Sequence, residues 1–305
     1  MRRFVTNTAL FTLIAVITLG AGELLVRSLP NSYRYKHEWI LENAQEIEYL
    51  IMGSSHTYYG IAPSEFFPNS FNLANISQNP EYDLLLLKRY APLCKNLHTI
   101  IIPVSYFTLF DKPFEEGDEW YYAINYRVYM GIEQHSRLSK YNFELSNRPV
   151  YSGKLLSFLS GKELPMCDTL GFGLGYTAAD AAEWTHDAQN IAEKHTAADW
   201  DSLEKNVADM HSLLQFCKEN GIRAILVTTP VSSAYRALLD NRQLEKTYSV
   251  IEEMCSRHGA EYHDYMADSR FTECDFHDSD HLSDEGAKKF TLILKEDLTK
   301  GIKEP

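Results

Sequence analysis

Two continuous apolar runs constrain the fold of this chain more than any other feature. HTIIIPV, His98–Val104, and IRAILVTT, Ile222–Thr229, show almost no polar alternation. A strand with one face in water alternates. A short unbroken run instead suits a strand buried on both faces of a parallel sheet. Helical spacing surrounds both runs. Tyr82–Cys94 contains LLLLKRYAPLC, and Leu203, Val207, Met210, Leu213, Leu214 and Cys217 mark one face of a helix that stops at Gly221. Ile47–Met52 reads as a first strand, Phe71, Leu73 and Ile76 lie in a short strand followed by a turn, and Ala260–Tyr265 reads as a short last strand. Leu244, Tyr248, Ile251, Met254 and Cys255 mark a helix stopped at Gly259, and Asp284–Lys300 forms the closing helix with Ser283 as its N-cap. Strands alternating with helices predict an α/β fold of three α/β/α layers around a central, mostly parallel sheet.

Residues 106–198 break that rhythm. They hold EWYYAINYRVYMGI and the glycine-rich LGFGLGYTAAD. The stretch is too long for a structureless loop in a compact domain, so it predicts a cap-like insertion with its own helices. Its aromatic run, Trp120, Tyr121, Tyr122, Tyr126 and Tyr129, reads as packing of that insertion, with a sugar-stacking wall or lid as the functional alternative.

The N-terminus has a different character. Arg2 and Arg3 precede a mostly apolar run from Phe4 to Gly22, then Glu23 and Arg27. About 20 residues of helix span a bilayer. A cleaved signal peptide needs small residues at both −3 and −1, and a cut after Ala21 would place Leu19 at −3. The favoured expectation is an uncleaved anchor over 1–27, with a linker and short helix over 28–46 and an α/β domain over 47–305. The arginines would stay cytoplasmic and the remainder would lie on the periplasmic or extracellular side. A 305-residue chain with 45% hydrophobic and 23% charged residues has material for one large core, and its formal net charge of −13 argues against nucleic acid as a partner. The five cysteines show no CxxC and no metal-type spacing.

Ligands of open parallel sheets bind beyond the carboxyl ends of the strands. Those ends carry Gly53-Ser54-Ser55-His56, then NLANISQ, then Ser105, then Thr228-Thr229-Pro230, and finally CDFHDSDHLSDEGAKKF before the last helix. A serine hydroxyl is a weak nucleophile until a base takes its proton, and the base is usually a histidine oriented by a third group. Asp278-Ser279-Asp280-His281 offers both base and orienting acid. The bland alternatives are an ordinary turn at Gly-Ser-Ser, a chance D-x-x-H, and a metal site of histidine and aspartate ligands within His277–His281.

GSSH after the first strand and DSDH before the last helix together resemble the SGNH (GDSL-like) hydrolase superfamily. More narrowly, the pattern resembles its membrane-anchored branch related to alginate-acetylation proteins and the D-alanyl-transfer protein of teichoic acid synthesis. The resemblance covers 47–105 and 200–300. It implies an SGNH/flavodoxin-like fold, Ser55 as nucleophile, His281 as base and Asp278 as acid, with no cofactor and no metal. Ser54 stands where the family has aspartate, Ala74 or Ser77 where it has the oxyanion glycine, and Ser105 where it has an asparagine. The Ser55 and Ser77 N–H groups and the Ser105 hydroxyl are therefore the expected oxyanion donors, and His56 is a further pocket residue. Asp280, adjacent to His281, is expected to be poorly placed to meet the imidazole. The chemistry implied is a serine ester hydrolase or O-acyltransferase acting on acyl esters of cell-envelope polysaccharide. The partners implied are an acyl-ester or carbohydrate substrate, the membrane, and a membrane-bound acyl-donor protein. A scaffold or binding module that keeps the fold without the chemistry is the alternative.

Overall fold

The structure, a computed structural model, describes residues 1–117, 119–132, 143–146, 148–161, 166–180 and 187–300. Helix α1 (Arg2–Ser28) is long and apolar enough to cross a membrane and lies almost entirely free of the rest of the chain. Helix α2 (Ser32–Asn43) follows, its N-cap Asn31 accepting the Arg34 N–H at 3.0 Å.

Among the described residues, β1 (Tyr49–Ile51), β2 (Ser70–Asn72), β3 (Thr99–Pro103), β4 (Arg223–Thr228) and β5 (Glu261–Asp264) form one parallel sheet in the order β2-β1-β3-β4-β5. The strand order matches the flavodoxin-like arrangement, whose ligand crevice lies where the order reverses, between β1 and β3. The apolar runs are strands buried on both faces. Along β3, Ile100 and Ile102 face one core and Ile101 the other, while Leu226 and Ile225 of β4 divide in the same way. One layer is built by α2, α4 (Pro80–Tyr90), α8 (Leu203–Glu219) and α10 (Asn241–His258). On the other face, α11 (Asp284–Lys300) packs Ala287, Phe290, Leu294 and Leu298 against Ile51, Ile101 and Val227. Ser283 caps α11 by accepting the Gly286 N–H at 3.2 Å.

The strands are shorter than the apolar runs that announce them. Ile47 precedes β1 because pairing begins only at Tyr49, opposite Ser70 and Thr99. Between 106 and 198, the described residues contribute α5 (Ala123–Met130), α6 (Arg148–Leu159) and α7 (Ala188–His195) but no strand of the sheet; parts of this range lie outside the described residues. The glycine-rich part sits tight on the main domain. Leu170 accepts the Asn72 N–H at 2.9 Å, and Gly173 donates to Tyr58 at 2.8 Å. A Cβ at Gly171 would come within 2.1 Å of the Asn72 carbonyl oxygen. Of the aromatic run, Tyr126 and Tyr129 are buried, while Trp120, Tyr121 and Tyr122 are only partly so. Tyr126 is fully buried and meets Tyr33 edge-on at 4.9 Å.

Candidate active site

Immediately after β1 the chain turns through Gly53 into the one-turn helix α3 (Ser55–Tyr58), capped by Ser54. Gly53 has φ +103°, and a Cβ there would meet Pro103 at 2.0 Å, so only glycine fits. Its N–H donates to the buried Asp83 carboxylate at 2.9 Å, and its carbonyl accepts from Asn75 at 3.0 Å. Burial pushes the Asp83 carboxyl up to about 7, despite its hydrogen bonds from Gln78 and Gly53. The turn after β1 and the turn after β2 are thus tied together, which places Ser55 at the topological switch point of the sheet.

The second half of the site comes from the loop before α11. Asp278 Oδ1 accepts the N–H of Asp280 at 3.2 Å and of His281 at 2.8 Å, an Asx turn that folds D-x-x-H upon itself. The His281 Nδ1–H then faces the same carboxylate at 3.0 and 3.1 Å. With Nδ1 protonated, Nε2 is free to accept, and it lies 2.8 Å from Ser55 Oγ. Ser55, far away in sequence, thus meets the Asp278–His281 turn at one point.

Asp280 differs from its sequence-based expectation. Its Oδ1 stands 3.2 Å from His281 Nδ1, close but not aligned as a hydrogen bond. Its Oδ2 accepts from His56 Nε2 at 3.1 Å and lies 3.8 Å from His195 Nδ1. Adjacency along the chain does not keep this carboxylate from the ring, because the Asx turn curls it under the imidazole. Three histidines therefore surround one buried carboxylate. Burial works against a charged His281, yet Asp280 and then Asp278 overcome it and push the imidazole up to about 10. Burial also opposes the Asp280 charge, but His281 and then His56 hold that carboxyl well below its ordinary range. Burial lowers His56, and it pulls His195 down to about 3.

The other expected donors are distributed unevenly. Ser105 is buried, and its hydroxyl lies 2.9 Å from His56 Nδ1, behind the cavity wall rather than beside Ser55. His56 therefore links Ser105 to Asp280, and its ring edge also lines the cavity. Ser77 lines the cavity in the left-handed conformation, φ +57°, with its hydroxyl donated to Glu119. Among the described residues, no hydrogen bond uses the Ser55 or Ser77 backbone N–H. His277 sits apart, with Nδ1 3.1 Å from the Thr177 carbonyl oxygen. The described donors close enough to share a metal ion are His56, Asp280 and His281, which exclude His277.

Sequence reasoning missed two residues. His195, on α7, reaches Asp280 only through tertiary packing and has no motif around it. Asn79 caps α4 with its Oδ1 toward the Tyr82 N–H at 3.1 Å, while its Nδ2 is buried at the cavity wall with no partner among the described residues. The NISQNP turn announces the cap but not the spare donor. The cavity holds about 570 Å³, with Ser55 and His281 joined by Phe107, Phe114, Tyr176 and Glu119 on its walls.

No curated protein matches this sequence. Similar solved structures include a GDSL-like lipase from Bacteroides thetaiotaomicron, 14% identical with TM-score 0.43, covering 88% of this chain and 99% of that chain. Another is a lipase/acylhydrolase from Enterococcus faecalis, 13% identical with TM-score 0.39, covering 85% of this chain and 99% of that chain. Residues 183–288 match the DltD protein family, a segment that contains Asp278, Asp280 and His281 and leaves Ser55 outside it. The match agrees with the resemblance to the D-alanyl-transfer branch carried by GSSH and DSDH.

Proposed function

We propose that this chain is a membrane-tethered serine acyl-transfer enzyme, an ester hydrolase or O-acyltransferase of the cell envelope. The observation that carries the reading is Ser55 Oγ at 2.8 Å from His281 Nε2, with the opposite ring nitrogen held by Asp278. Ser55 Oγ attacks an ester carbonyl while its proton passes to His281 Nε2. The carbonyl electron pair moves onto oxygen, which in this reading the Ser55 and Ser77 N–H groups and the buried Asn79 amide behind the cavity wall stabilise. Collapse expels the alcohol, which takes the proton back from His281, and leaves an acyl-serine. Water or an acceptor hydroxyl then repeats the sequence in reverse, so hydrolysis and transfer share one intermediate. Asp278 holds the reactive tautomer and, with Asp280, stabilises the imidazolium formed in each half-reaction.

The family match supports an envelope acyl-transfer role, and α1 supports anchorage. An envelope polysaccharide is the acceptor or ester carrier in this reading, and a membrane-bound acyl-donor protein is its partner. The test is a stopped-flow burst with p-nitrophenyl acetate. A nitrophenolate burst stoichiometric with protein, faster than steady turnover and absent in Ser55→Ala, is expected. Equal burst in Ser55→Ala would overturn the assignment, and folded wild-type protein with no burst and no acyl adduct would favour the scaffold.

A further inference from the structure

Lys36 of α2 is fully buried, although lysine is rarely so without an ionic partner. Its Nζ donates to the Ala74 carbonyl and stands 4.3 Å over the Tyr58 ring. Among the described residues no carboxylate comes within ion-pair distance; Cys167 and Asp168 act on the amine only at longer range. Burial pulls the amine down to about 7. A buried amine of this kind is costly to the fold, and the two groups it touches give the reason for keeping it. Tyr58 belongs to α3, the helix that opens with Ser55. Ala74 opens the Asn75–Ser77 turn, which is bonded back to Gly53 through the Asn75 N–H. One amine thus joins the nucleophile helix to the turn facing it.

We propose that Lys36 is a positioning residue: by holding the Ala74 carbonyl against α3, it sets the Asn75–Ser77 turn opposite Ser55, at the expense of fold stability. The inference rests on the acyl-transfer reading for its effect on rate, but not for its effect on the turn. Lys36 touches no reacting atom. It acts through main-chain position, and a displacement of about 1 Å at a reacting centre costs roughly 100-fold in rate.

The experiment compares full-length wild type with Lys36→Met, which keeps an unbranched apolar stem and removes the donor. Fluorophosphonate inactivation kinetics, thermal melting and hydrogen exchange of the 75–78 amides are measured on both. Expected for Lys36→Met are a saturating inactivation rate lower by about 100-fold, an unchanged half-saturating probe concentration, faster exchange at 75–78, and a Tm at or above wild type. An inactivation rate within about threefold of wild type together with unchanged exchange would overturn the proposal. Lys36→Leu takes its place if the methionine variant does not fold. Failure of both to fold contradicts the proposal, because it makes the amine a requirement of the fold rather than a cost to it. If wild type itself does not label at Ser55, the acyl-transfer reading fails, and the exchange measurement alone decides whether Lys36 holds the turn.

Discussion

Replacing Asp280 with asparagine removes one charge from beneath the His281 ring while preserving the shape of the side chain. The carboxylate lies 3.2 Å from His281 Nδ1 and is 2% exposed. At that separation, and with an effective dielectric constant of about 20, the attraction is on the order of 5 kcal/mol, part of which burial of the imidazolium offsets. The balance raises His281 from 6.5 to about 10, with the Asp280 charge the largest single favourable contribution and Asp278 adding a charge and a hydrogen bond of its own. A nearby opposite charge typically moves a pKa by about 1–3 pH units, so Asp280→Asn should lower the His281 midpoint by about that amount, worth roughly 1.4 kcal/mol per unit. The base works as neutral imidazole, so the acylation rate rises with pH through this midpoint. The assay is the second-order rate of fluorophosphonate inactivation from pH 5 to 11 in wild type, Asp280→Asn and Asp278→Asn. The variant curve should rise at lower pH than wild type and level off at a smaller plateau, because the imidazolium of the transition state has lost a partner. An Asp280→Asn midpoint equal to wild type, with Asp278→Asn displaced, would refute this account of Asp280.

Two further outcomes follow from the same cluster. His195 has a folded pKa below its unfolded value, so the unfolded chain binds the extra proton between about pH 6.5 and 3 and stability falls as pH falls through that window; His195→Gln should narrow the pH 7 to pH 4.5 difference in urea stability by on the order of 2 kcal/mol, and an unchanged difference would contradict its neutral state in the fold. Asn79→Asp keeps the α4 cap acceptor but removes the spare donor; it should slow acylation by about 100-fold with a near-wild-type Tm, whereas acylation within about twofold of wild type would remove Asn79 from the oxyanion site.

The sheet was legible where burial on both faces left no polar alternation to misread, as at Ile100–Ile102 and Ala224–Val227. Strand ends were less legible, because pairing with Ser70 and Thr99 rather than local hydrophobicity decides that β1 starts at Tyr49. D-x-x-H was readable because an Asx turn is a local structure, written within the residues that form it. Asp280, His195 and Ser105 were not, since each takes its partner from an element distant in sequence. Ser105 occupies the expected place after β3, but its hydroxyl is spent on His56, a bond that spacing does not encode. Lys36 lies in a stretch that reads as linker and short helix, and nothing in SYRYKHEWI distinguishes a lysine that turns inward from one in solvent.

The central claim is that Ser55 is a nucleophile activated by His281. Intact-protein and peptide mass spectrometry after exposure to a fluorophosphonate tests it most directly. The account predicts one adduct on the full-length protein, mapped to Ser55, absent in Ser55→Ala and formed far more slowly in His281→Ala. A folded wild-type chain that stays unmodified, or an adduct that maps elsewhere and persists in Ser55→Ala, would contradict it.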